Sequence, residues 1–283
     1  MSGKILVLGG TGKTGAPLVT RLVEEGHGVK CASRSGAAPE GAEGCRFDWY
    51  DADGHDDALD GVGAVYLIAP LGAPDPLQIM KPFIETAMGR GVGRFVLLSS
   101  SLLEEGGPAM GAVHAFLRQC APQWAVLRPS WFMQNFVIDP HLSSIRSEGA
   151  IYSATDDGLV PFIAAEDIAE VALHALTDAE PTAQDLLITG PEAISYARVA
   201  AMIGHVAGKP VRHVRLTAEG LAQRFEKIGI PPEYASMLAG LDRAIAAGAE
   251  ARTTDIVERI TGRPPVAFDA FARSHAGTWS AAP

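Results

Sequence analysis

The sequence predicts an α/β fold: a doubly wound parallel sheet followed by a smaller, mostly helical C-terminal lobe. Three observations predict it. A short apolar run ends in spaced glycines and leads into an amphipathic helical pattern. Strand-like and helix-like segments then alternate as far as about residue 135. The strand segments are continuously apolar rather than alternating, as expected where helices cover both faces of a sheet.

Each element follows from local pattern. "KILVL" (4–8) is a β-rich run that stops at glycine. "GAPLVTRLVEE" places Leu18, Leu22 and Val23 on one helical face, and Gly26 ends it. "GVKCASR" reads as the second strand and "GCRFDW" as the third. "AVYLIAP" (64–70) is the fourth, and "PLQIMKPFIETAMGRG" is a helix that Pro82 is expected to kink. "RFVLLSSS" (94–101) is the fifth strand, "AMGAVHAFLRQCA" a helix, and "WAVLRPS" (124–130) the sixth strand. "IYSATDDGLVPFI" reads as two short strands around an Asp-Gly turn. "AAEDIAEVALHALTD" is an amphipathic helix, "DLLITGP" a further strand, and the chain beyond Ser195 is mostly helical. This is a Rossmann-type order. The expected division is 1–150 as the cofactor domain, with 163–190 returning to it, and 191–283 with 151–162 as the smaller lobe.

Composition narrows the function classes. The chain has 283 residues, 47% hydrophobic and 20% charged, with a formal net charge of −10. No basic stripe is visible, so a nucleic-acid partner is not expected. No apolar run approaches the length of a membrane span or a secretory signal. Cys31, Cys45 and Cys120 are scattered without CxxC spacing, which argues against a disulfide framework or a metal site and fits a reducing cytoplasm. The eight histidines form no ligand-like cluster.

The stretch "VLGGTGKTG" (7–15) contains both Gly-Lys-Thr and three spaced glycines. A nucleotide-hydrolase loop, G-x-x-x-x-G-K-[ST], would need glycine at position 7, which is Val7. The remaining reading is a dinucleotide loop in which Gly9, Gly12 and Gly15 permit a tight turn and close approach to pyrophosphate, with Gly10, Thr11, Lys13 and Thr14 between them. The second strand ends in Ser33-Arg34-Ser35, with no acid before Glu40. An acid there would accept from an NAD ribose, whereas Arg34 suits a 2′-phosphate and Lys13 adds charge. NADP(H) is the expected cofactor.

These segments, with "FDW" (47–49) and "VLRPSWFMQN" (126–135), resemble the NmrA-like atypical short-chain dehydrogenases. "MGAVHAFL", "LRPSWFMQN", "IYSATDDGLVPFIAAEDIA" and "GPEAISY" are similar, in the same order, to the festuclavine/agroclavine synthase branch. The resemblance implies NADPH-dependent hydride transfer to a cyclic iminium ion, a small-molecule substrate. It further implies Asp48 and Trp49 near the adenine, Ile68, Ala69 and Pro70 along the ribose and nicotinamide, and Ser99, Ser100 and Pro129 near the nicotinamide end. Trp131, Phe132, Met133, Asn135 and Phe136 are the implied substrate-pocket residues.

One departure matters. Most short-chain dehydrogenases carry Tyr-x-x-x-Lys after the fifth strand, and this chain reads His114-Ala115-Phe116-Leu117-Arg118. Adding hydride to a ketone makes an alkoxide that needs a proton, whereas adding it to an iminium gives a neutral amine. His114 is the one titratable candidate for a catalytic role at that place. A quinone or flavin reductase and a non-catalytic NADP(H) sensor are the competing readings.

Overall fold

The computed structural model describes residues 3–73, 75–180 and 184–280. In chain order the elements begin with β1 (Lys4–Leu8), α1 (Gly15–Glu24), β2 (Val29–Ser33), β3 (Glu43–Arg46), α2 (His55–Leu59) and β4 (Val62–Ile68). There follow α3 (Pro76–Gly89), β5 (Arg94–Leu98), α4 (Met110–Cys120), β6 (Gln123–Pro129), α5 (Leu142–Glu148), β7 (Ala150–Ser153) and β8 (Leu159–Val160). The remainder is α6 (Ala165–Thr177), β9 (Gln184–Ile188), β10 (Ile194–Ser195), α7 (Tyr196–Ala207), β11 (Arg212–Arg215), α8 (Ala218–Lys227), α9 (Pro232–Ala246), α10 (Ile256–Thr261), α11 (Phe268–Ser274) and α12 (Ala276–Ser280).

The chain forms two compact units: 1–129 with 165–188 and 256–263, and 130–164 with 189–255 and 264–283. The first boundary thus falls at 129 rather than 150. The physical reason lies in what 130–150 pack against. β7 pairs in parallel with β11, and α5 packs on β7 and α12, all within the second unit.

The first unit is a seven-stranded parallel sheet in the order β3-β2-β1-β4-β5-β6-β9. Leu6, Leu8, Val65, Leu67, Phe95, Leu97 and Val126 form one buried face with Met80, Phe83, Ile84, Val113 and Leu117 of α3 and α4. The strands read as unbroken apolar runs because the opposite face is also covered, by α1 and α6. On that side the Glu170 carboxylate of α6 accepts from Arg21 of α1 at 3.1 Å and pairs with Arg263 just after α10 at 2.9 Å. Pro82 sits inside α3, which continues through it.

The second unit has an aromatic core in which Phe136, Phe162, Tyr196 and Phe268 meet largely edge to face. The Trp279 indole N–H donates to the Phe136 carbonyl at 2.7 Å and closes the core from the C-terminal side. β7 and β8 are not hairpin partners. β7 takes β11 and β8 pairs antiparallel with β10. Gly158 of the intervening turn lies so close to Ile245 that a Cβ there would come within 2.4 Å of its carbonyl oxygen. The turn is therefore pinned by packing against α9, not by strand pairing across it.

Candidate functional site

The site of the first unit is built where the strand order reverses, between β1 and β4. After Leu8 the chain turns at Gly9, whose φ is +62°, a conformation that glycine adopts without cost. Gly15 then starts α1 so close to this turn that a Cβ on it would lie 2.2 Å from the Gly9 carbonyl oxygen. Thr14 is the N-cap residue of α1 but gives it no side-chain cap, and the first turn contains no acid. The Ala16 N–H donates to the Gly12 carbonyl at 2.9 Å and Pro17 has none, so the N–H groups of Thr14 and Gly15 are the donors this end can offer an anion, which the helix dipole favours. The Thr14 hydroxyl instead accepts from the Tyr66 hydroxyl of β4 at 3.1 Å, deep inside the unit. Burial raises the Tyr66 phenol pKa well above its ordinary value, so it stays a donor.

Around this loop the structure distributes the other expected residues. Thr11, Gly12 and Lys13 are exposed, and Gly10 is buried. Ser33 is buried at the end of β2 and donates to the Ala37 carbonyl at 3.2 Å, while Arg34 is exposed. Asp48 and Trp49 lie beyond β3, which ends at Arg46, three residues before the end of its expected segment. The Trp49 indole N–H donates to the Ile68 carbonyl at 3.0 Å, tying the two segments together. Ile68 and Ala69 are half-buried at the end of β4, and Pro70 is buried.

Among the described residues, Ser99 and His114 stand apart from the other buried polar side chains. The Ser99 Oγ atom and both ring nitrogens of His114 are buried with no hydrogen-bond partner. His114 is 1% exposed and lies 5.6 Å from the Trp124 ring. Burial lowers its pKa, and Arg128 and Arg118 push the same way against Asp185 and Glu105. Native proteins pair nearly all such groups, so these orphans make Ser99 and His114 candidates for a ligand contact.

Arg128 was not among the expected site residues. Its buried guanidinium donates to the Ser101 carbonyl at 2.9 Å, to Asp185 at 2.6 Å and to Glu104, and so fixes the segment that follows Ser99 and Ser100. A charge inside the apolar strand "WAVLRP" was the sequence signal for it. Tyr66 gave no signal, because a tyrosine in an apolar strand reads as core. Pro129 ends β6, and its carbonyl accepts from the Ser101 N–H at 3.0 Å.

In the second unit, Trp131, Phe132 and Asn135 are half-buried. Phe132 forms a bridge with Ile163, and the Met133 N–H donates to the Ile163 carbonyl at 2.9 Å. Met133 and Phe136 have no exposed surface and belong to the hydrophobic core of this unit. Glu250, 1% exposed, accepts from the Ser130 hydroxyl at 2.7 Å, and no local pattern marks it.

The first unit's features fit a nicotinamide dinucleotide. The turn closed by Gly9 and Gly15, the uncapped α1 N-terminus, and the orphaned Ser99 hydroxyl suit pyrophosphate at one end and a polar ring substituent at the other.

Comparison with known proteins agrees with this geometry. The model of the NmrA-like family matches residues 1–257. An uncharacterized oxidoreductase of Bacillus subtilis is 44% identical over 276 residues, covering 98% of this chain and 96% of that protein. A festuclavine dehydrogenase of Aspergillus fumigatus is 39% identical, covering 97% of this chain and 98% of its own length. Among solved structures, an NADPH-dependent quinone oxidoreductase of Escherichia coli complexed with NADPH superposes with a TM-score of 0.81 at 21% identity, covering 96% and 99% of the two chains.

Proposed function

The chain belongs to the NmrA-like family, and on that premise we propose that it is an NADPH-dependent oxidoreductase that reduces a cyclic iminium ion or a similarly activated small electrophile. Bound NADPH supplies the hydride. Gly9 to Gly15 hold its pyrophosphate, with the N–H groups of Thr14 and Gly15 at the start of α1 as donors. Arg34, with Lys13, takes the 2′-phosphate. Asp48 and Trp49 flank the adenine. Ile68, Ala69, Pro70 and Pro129 border the ribose and nicotinamide, and Ser99 and Ser100 offer hydroxyls at the nicotinamide end.

The observation that carries the reading is the state of His114. It occupies the helix on which related enzymes place a tyrosine–lysine acid pair, and burial keeps its imidazole neutral. A neutral imidazole donates or accepts a hydrogen bond but brings no ready proton at neutral pH. Iminium reduction asks for none, because charge is lost rather than created in the transition state. Positioning then supplies the catalysis. His114 is the residue assigned to that positioning. Trp131, Phe132 and Asn135 offer partly exposed surface for an organic cation, aromatic faces included.

The test is NADPH consumption, followed by nicotinamide absorbance, with a panel of cyclic iminium ions, quinones and flavins. Fastest turnover with the iminium ions supports the reading. Turnover confined to quinones or flavins replaces it with a reductase of that class, and tight NADPH binding without any turnover replaces it with a sensor.

A further inference from the structure

A cleft of about 310 Å³ opens within the second unit, and its two walls differ in chemistry. Leu221 and Phe225 of α8, with Ile228 just after it, recur at helical spacing and give one wall an apolar strip beside Arg224; Ile228 is 60% exposed. The other wall comes from α5 and the turn before it, which contribute Asp139, Ser143, Ser144 and Ser147. Helices that simply packed together would set apolar side chains against apolar ones. Serines opposite phenylalanine and isoleucine leave a gap with one wet side.

The direction of the serine hydrogen bonds defines what that side accepts. Ser143 donates to Asp139, Ser144 to the His141 carbonyl at 3.1 Å, and Ser147 to the Ser143 carbonyl at 2.7 Å. With their protons directed inward, these hydroxyls offer lone pairs to the cleft. Asp139 adds a carboxylate, held below the usual range by the Ser143 hydroxyl and N–H. An anion finds no helix end here, because Asp139 already accepts from the Ser143 N–H at 3.1 Å.

The α8 side of the cleft also carries a cation, and that cation is already paired. The Arg224 guanidinium lies 3.6 Å from the centre of the Tyr152 ring and pairs with Glu148, which also accepts from the Tyr152 hydroxyl at 2.6 Å. Its charge is thereby engaged by an aromatic face and a carboxylate. Asp139 is left to serve the cleft.

We propose that this cleft binds a lipophilic ammonium ion. The N–H group points to Asp139 and the serine oxygens, and the hydrocarbon part lies on Leu221, Phe225 and Ile228. The volume is at the small end for ligand sites and suits one or two rings. The inference rests on the second unit alone and does not depend on the proposed reduction.

The experiment is calorimetric titration of the full chain with two probes that share a ring system: N,N-dimethyl-1-naphthylmethylamine, a cation at neutral pH, and 1-naphthylacetate, an anion. Saturable binding of the amine is expected, with the acetate at least about tenfold weaker. Asp139→Asn keeps the acceptor that caps α5 and should weaken the amine roughly tenfold. Ile228→Lys, at an exposed position that does not endanger the fold, should weaken the amine and strengthen the acetate. Equal affinity for the two probes overturns the proposal. So does the absence of saturable amine binding, or amine binding that both variants leave unchanged.

Discussion

The hydroxyl of Tyr66, sealed inside β4, donates to Oγ1 of Thr14, the residue that opens α1. One hydrogen bond thus ties the middle of the sheet to the end of the glycine loop. The two partners are not equivalent. Tyr66→Phe removes the donor and leaves a small hydroxyl, at an expected cost of about 1 kcal/mol. Thr14→Val strands a buried phenol and should cost up to roughly 3 kcal/mol. Urea denaturation of both variants checks the difference, and equal costs would show that the bond does not set the loop.

Arg34 is expected to decide between the two dinucleotides. Arg34→Ala should weaken NADPH roughly ten- to a hundredfold and leave NADH nearly unchanged, since a charge-assisted bond is worth about 1.5–3 kcal/mol. Fluorescence titration with both cofactors measures it. A variant that keeps its full preference would move the 2′-phosphate contact elsewhere.

Ser99 has an unpaired buried hydroxyl. Ser99→Ala should therefore stabilise the ligand-free protein by about 1 kcal/mol, because a desolvated polar atom disappears. The same variant should bind NADPH several-fold more weakly. Thermal melts with and without NADPH report both effects, and they should have opposite signs.

Burial keeps His114 deprotonated at and above neutral pH. Iminium turnover is expected to be level from about pH 7 to 9, since no group in that range has to deliver a proton. A kcat falling tenfold per pH unit over the window would instead assign an acid to the reaction. His114→Gln keeps a hydrogen-bonding side chain and should retain more activity than His114→Leu, which has none.

Asp242 of α9 accepts from the Ala154 N–H at 2.8 Å, and burial raises its pKa from 3.8 to about 6. A raised carboxyl binds more protons in the folded state than in the unfolded state. Its contribution is complete below about pH 4 and is lost as pH rises through about 6. That rise in pKa corresponds to about 3 kcal/mol at most. Asp242→Asn keeps the acceptor without the charge, so its stability relative to the parent should rise between about pH 4 and 7. Denaturant midpoints across that range test the sign.

Much of the first unit is legible in the sequence, because its signals are local. A strand, a glycine and a helix follow one another within a few residues, and the unbroken apolar strands already report a covered sheet. The pairing of β7 and β8 is not legible. The Asp-Gly turn between them is a hairpin signal, but their partners β11 and β10 lie tens of residues further along. β11 itself, "RHVR", contains one apolar residue and reads as loop. Of the candidate site, the glycine loop and Arg34 stand out by spacing, whereas Tyr66 and Arg128 act through partners far along the chain.

By itself the sequence determined the three-glycine loop, the absence of an acid after the second strand, and the missing tyrosine–lysine pair. Each depends on residues a few positions apart, whose types fix backbone conformation and charge directly. Only the tertiary structure decided that Ser99 and His114 are buried without partners, that Met133 and Phe136 fill a core, and that serines share a cleft with Leu221, Phe225 and Ile228. Burial and hydrogen-bond satisfaction are set by residues that meet only once the chain has folded, and no local pattern encodes them.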